Sequence, residues 1–117
     1  MNNQEFFDKT MEHLRKQGVP SARGASCLYR GPGGTRCAIG FHIPDDMYNL
    51  RMEGAGVSNL LQNYPELRSL FESVPPGLLS EMQTLHDTWM PYGVESMEGR
   101  AQAIASEYAL TYKDYHE

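Results

Sequence analysis

The chain has 117 residues, 40% of them apolar and 21% charged, and a formal net charge of −5. That length fits one domain, residues 1–117, with a core large enough to need no metal or disulfide staple. It holds no run of about eighteen apolar residues to cross a membrane, and an acidic, lysine-poor composition argues against duplex nucleic acid as a partner.

The charge is unevenly spread. Residues 1–51 carry seven Lys/Arg and five Asp/Glu, whereas residues 52–117 carry three and ten. Between His13 and Pro44 no acidic side chain occurs, yet Arg15, Lys16, Arg23, Arg30 and Arg36 all fall there. Such a field suits phosphate or a carboxylate-rich surface, or balances the acidic half within the fold or across a homo-oligomer. The polar opening MNNQEFFDKTMEHLRKQG lacks the apolar core of a secretory signal. The expected compartment is therefore the cytoplasm, where cysteines are thiols by default.

In chain order, the first predicted element is a helix. Asn2 caps it with Glu5 three residues on, Phe6, Phe7, Met11 and Leu14 recur at helical spacing, and Gly18 stops it ahead of Pro20. Ser26–Arg30 and Thr35–Ile39 read as the strands of a hairpin about residues 26–39, because the cluster Gly31-Pro32-Gly33-Gly34 separates two short β-prone runs. Ile43-Pro44-Asp45-Asp46 reads as a helix entrance, with Pro in the first turn and carboxylates at the positive end of the dipole, and that helix is expected to end by Gly54.

From residue 56 onward the pattern is helical and punctuated by prolines. Val57, Leu60 and Leu61 form a short amphipathic turn, and Pro65 restarts a helix with Leu67, Leu70 and Phe71. After Pro75-Pro76-Gly77, the stripe Leu78, Met82, Leu85 and Trp89 predicts a helix to about Met90, closed by Pro91-Tyr92-Gly93. Met97, Ala101, Ile104 and Tyr108 share one face of the last helix. The expected fold is a small α+β domain, mostly helical, with one β-hairpin packed on four to five helices.

The segment CLYRGPGGTRCAIGFHIPDDMY, followed by MEG and GVSNLL, resembles a group of short bacteriophage and prophage proteins of unknown function. Those proteins share an opening helix ending near HLRKQG and the pattern C-x-Y-R-G-P-x-G-x-x-C-A-x-G-x-x-I-P-D. The likeness brings no activity with it. It implies a mobile-element accessory protein, of the kind that modulates its host or counters a defence by binding a host component or signal.

The hairpin admits three chemical readings. As an anion clamp, Arg30, Arg36 and Arg23 contact phosphate oxygens, Gly33 and Gly34 offer backbone N–H groups, and Tyr29 stacks on a base; on the plainer reading the glycines only serve the turn, and the arginines lie solvated or pair with Asp45, Asp46 or Glu53. As a zinc site, Cys27, Cys37 and His42 supply three ligands and His13 or His86 the fourth, although the spacing matches no known finger. As a disulfide, Cys27 and Cys37 face each other across the strands. A nucleophile and base drawn from Cys27 or Cys37 with His42 or His86 has little local support, so no catalytic residue, metal or cofactor is expected. The expected function is non-catalytic sequestration of an anionic ligand such as a nucleotide messenger. The alternative is a protein inhibitor that docks on a host enzyme, with its acidic helical half imitating nucleic acid.

Overall fold

The opening helix forms as its sequence dictates. In the computed structural model, which describes residues 1–113, α1 spans Asn3–Gln17. The Asn2 side chain accepts the Glu5 N–H at 2.9 Å, and the Glu5 carboxylate accepts the Asn2 N–H at 3.2 Å, a reciprocal capping box. Gly18 ends the helix in the left-handed region at φ 75°. Phe6, Phe7, Met11 and Leu14 are buried along one face, so the predicted apolar stripe is the core stripe.

The hairpin exists, but it lies earlier than expected. β1 (Ala22–Arg23) pairs antiparallel with β2 (Ser26–Cys27), with Ala22 opposite Cys27 and Arg23 opposite Ser26. The two-residue turn between them is Gly24-Ala25, with Gly24 at φ 61°. The Gly31–Gly34 loop does reverse the chain, as a 3-10 turn, but the expected pairing across it is reduced to one antiparallel bridge, Arg30 with Arg36. No strand forms over Thr35–Ile39. Cys37, Ala38, Ile39 and Gly40 are all buried, a run without the alternation of a half-buried strand, and the chain coils from it into a 3-10 turn at Gly40–His42.

The helix expected from Pro44 to Gly54 is also absent. A single turn opens at Pro44, where Tyr48 N–H donates to the Pro44 carbonyl at 3.2 Å. Asn49 is then extended at φ −139°, and only a 3-10 turn at Leu50–Met52 follows. Asp45 does not cap a helix because both Arg30 and Arg36 draw its carboxylate towards them.

The remaining helices follow the proline punctuation. α2 spans Val57–Asn63, Pro65–Leu70 is 3-10 rather than α, α3 spans Pro76–Tyr92 and α4 spans Val94–Glu107. α3 runs past Pro91 to Gly93 and packs along α4. Leu78, Met82, Leu85 and Trp89 are buried, as are Met97, Ala101 and Ile104. The architecture is a small, mostly helical α+β domain around one continuous core. Among the described residues no helix is long and apolar enough to cross a membrane.

Two close approaches hold the irregular stretch against the helices. Gly40 lies against the Tyr29 backbone, so that a Cβ there would overlap the Tyr29 carbonyl. The Glu53 carboxylate accepts the N–H groups of Tyr29 at 2.8 Å and Arg30 at 3.1 Å and the Tyr48 hydroxyl at 2.6 Å. Gly40→Ala is expected to lower stability by about 1–3 kcal/mol through backbone overlap. Glu53→Gln, which turns an amide N–H toward existing donors, is expected to cost about 2 kcal/mol in urea denaturation.

Candidate functional site

Tyr29 and Arg30, the centre of the expected clamp, are built into the fold. Tyr29 is buried with the core cluster and its hydroxyl donates to the Ala55 carbonyl at 2.5 Å. The Arg30 guanidinium donates to the Ile43 carbonyl at 2.7 Å, pairs with Asp45 at 2.8 Å and lies 4.6 Å over the Tyr48 ring. Arg36 pairs with the same Asp45 oxygen at 3.1 Å. One carboxylate thus answers two guanidinium groups. Arg23 is exposed on the β1–β2 hairpin, apart from this pair in the bonding pattern. Of the expected clamp residues, Tyr29, Arg30 and Arg36 thus have partners within the chain, at Glu53, Ile43, Asp45 and Ala55, and Arg23 is not brought together with them.

Gly33 and Gly34 keep the place that the sequence suggested for them. They are exposed, consecutive and left-handed, at φ 69° and 79°. What faces them is α1. A groove of about 630 Å³ runs between this loop and the helix, lined by Lys9, Glu12, His13 and Lys16 on one side and Gly33, Gly34 and Thr35 on the other. Phe41 also lines it, its ring stacked on His13 with centroids 4.1 Å apart and planes 12° from parallel. Lys9 and Lys16, seven residues apart, share one helix face about 10 Å apart along the axis. The groove thus combines two exposed ammonium groups, a flat aromatic pair and a glycine loop with little side-chain bulk.

Sequence reasoning missed Lys9 and Phe41, placed Lys16 only within the basic stretch, and weighed His13 only as a zinc ligand. The 4 + 3 spacing of Lys9, His13 and Lys16 opposite the apolar stripe was a readable signal of one polar helix face. The juxtaposition with Gly33 and Gly34 was not, because it depends on contacts between residues far apart in the chain.

The histidines occupy fixed roles. His13 Nε2 lies 2.9 Å from the Arg36 carbonyl, which only accepts, so that nitrogen carries the proton. The Thr10 hydroxyl donates to the Phe6 carbonyl at 2.7 Å and so receives the His42 Nε2–H at 2.8 Å. The His42 ring sits among Phe6, Phe41 and Phe71. Burial, with smaller contributions from His13 and Lys9, pushes its pKa down to about 4.

A second cluster joins Cys27, His86 and Asp87, whose donor atoms lie within 4.8 Å of one another. The types suit zinc, but the hydrogen bonds do not. His86 Nε2 accepts the Ser21 N–H at 2.9 Å, which leaves the proton on Nδ1, donating to Asp87 at 3.0 Å. The nitrogen facing the cluster therefore has no lone pair for a metal or for the thiol's proton. Burial and the Asp87 charge push the Cys27 thiol up to about 11. Burial pushes Cys37 up to about 12, and its sulfur accepts the Gly40 N–H at 3.2 Å. Both cysteines are free thiols, with Cys27 paired in register to Ala22 rather than to Cys37.

Comparison with protein-family models, with curated proteins and with solved structures returns no match.

The position of His42 gives a pH prediction. In the unfolded chain its imidazole takes a proton near 6.5, and in the folded chain only near 4. Between these values the unfolded state binds more protons, so stability falls as pH drops through that window, by on the order of 3 kcal/mol. Urea midpoints recorded from pH 7 to 4 are expected to show this decline, and His42→Gln is expected to flatten it.

Proposed function

We propose that this chain is a non-catalytic binding protein that sequesters a small anionic ligand, such as a nucleotide, in the groove between α1 and the Gly31–Thr35 loop. The observation that carries this reading is the pairing of Lys9 and Lys16 with the exposed, left-handed Gly33 and Gly34 across a cavity lined by the His13–Phe41 stack. Ammonium groups and glycine N–H groups suit phosphate or carboxylate oxygens, and the aromatic pair suits a flat ring. The volume, about 630 Å³, is that of a small-molecule site. A non-catalytic role is supported by the engagement of His42 with Thr10 and of His86 with Ser21, which leaves neither ring bonded to a thiol. In the mobile-element setting that the sequence resemblance implies, such a protein would act by lowering the free concentration of a host signal.

The reading of an acidic, nucleic-acid-like surface has less to support it. Of the ten carboxylates after residue 51, Glu53 is spent on backbone N–H groups and Glu98 on Arg15 and Tyr112. Asp114 and Glu117 lie outside the described residues.

Thermal shifts against a panel of mononucleotides and cyclic dinucleotides test the proposal. A ligand at 100 times its dissociation constant is expected to add about 2.7 kcal/mol of stability. Lys9→Glu with Lys16→Glu is expected to abolish the shift, and Arg23→Gln to leave it. No shift from any member of the panel, or a shift that survives the double lysine change, overturns the reading.

A further inference from the structure

Within the proposed groove, His13 differs from the lysines beside it in being able to change charge near neutral pH. Its geometry fixes which atom does so. Nε2–H is committed to the Arg36 carbonyl at 2.9 Å, so in the neutral ring Nδ1 is a bare lone pair. Among the described residues Nδ1 has no hydrogen-bond partner. A bare lone pair repels an anionic oxygen, whereas a protonated Nδ1–H donates to it and adds a positive charge.

We infer that His13 makes anion binding in this groove proton-coupled: the ligand enters with uptake of one proton from solvent at Nδ1, and the imidazolium is the group that discriminates an anion from a neutral ligand of the same shape. This rests on the groove being the binding site.

The surroundings favour a neutral ring while the groove is empty. Burial is the largest influence lowering the His13 pKa from 6.5; the bond to the Arg36 carbonyl works against it, and the charges of Arg36 and His86 add to the lowering. The charged or titratable groups around the ring are Lys9, Glu12 and Lys16 from α1, Arg36 with its partner Asp45 and His42 from the irregular segment, and His86 from α3. An anion in the groove offsets the cationic side of this balance and raises the His13 pKa. Binding therefore tightens as pH falls through the window between the bound and empty values.

The test uses naphthalene-1,5-disulfonate, a flat ring with two anionic groups that do not titrate between pH 5 and 8. Calorimetric titration of the full chain in buffers of differing ionisation enthalpy reads proton uptake directly. Uptake of up to one proton per ligand is expected as pH is lowered from 8 to 5, with Kd falling by roughly tenfold across that range. His13→Gln keeps a donor for the Arg36 carbonyl and removes the titration, so its Kd is expected to be flat with pH, while His42→Gln is expected to retain the slope. Binding without proton uptake, or a slope that persists in His13→Gln, overturns the inference and leaves the groove as a binding site. No binding, or binding that survives the double change Lys9→Glu and Lys16→Glu, overturns the groove reading and the inference with it.

Discussion

The Glu53 carboxylate, bridging the backbone N–H groups of Tyr29 and Arg30 to the Tyr48 hydroxyl, is the contact on which the middle of the chain depends. Residues 28–56 contain neither a strand nor an α-helix, yet Tyr29, residues 37–40, Ile43 and Met52 are buried, and the polar backbone groups there still need partners. Side chains provide many of them. Gln17 accepts from Arg36 N–H, Gln83 from Ile39 N–H and Cys37 from Gly40 N–H, while Arg30 and Tyr29 donate to the Ile43 and Ala55 carbonyls. Turn bonds within the backbone supply the rest, such as Cys37 N–H to the Tyr29 carbonyl and Phe41 N–H to the Cys37 carbonyl.

This explains why the most distinctive residues of the sequence are not its candidate binding residues. Tyr29, Arg30, Gly40, Asp45 and Glu53 are instead bound or packed against other parts of the chain. An arginine beside a glycine loop looks like an anion site when only neighbours in sequence are visible. Here the nearer anion is Asp45, fifteen residues after Arg30 and nine after Arg36, and it is the chain's own.

Elements governed by local chemistry were legible from the sequence. The Asn2–Glu5 capping box, the Gly18 stop and the apolar stripes of α1, α3 and α4 all act within a few residues, and each helix appears where those signals placed it. The errors fall where distant partners decide. Thr35–Ile39 meets its expected partner run at one bridge, Arg30 with Arg36, and in the Cys37 N–H bond to the Tyr29 carbonyl, but beyond it Gln83 of α3 takes the Ile39 N–H and the pairing stops. Pro44-Asp45-Asp46 has the chemistry of a helix start, but Arg30 and Arg36 compete for Asp45. Among glycines, the two-residue turn at Gly24 was overlooked because the richer cluster at Gly31–Gly34 drew the assignment. The same division applies to the groove: Gly33 and Gly34 were found from their own chemistry, and the α1 wall was not, because only the fold brings it there.

The helix that makes that wall is tied on both sides by side-chain amides acting as peptide surrogates. Gln4 donates to the Thr111 carbonyl at 3.0 Å and accepts the Thr111 N–H at 2.8 Å; Gln17 does the same with Arg36 at 3.0 and 2.8 Å. The Gln17 pair, reinforced by His13 on the same Arg36 carbonyl, fixes the spacing between α1 and the C-terminal side of the glycine loop. Within the loop, Gly31 N–H donates to the Thr35 carbonyl at 2.8 Å, so its two ends are fixed to each other as well. Freedom is left at Gly33 and Gly34, between those anchors. A groove whose walls are set before a ligand arrives loses less order on binding than one that must close around it, and the small cost that remains falls on a loop whose left-handed glycines are already in place.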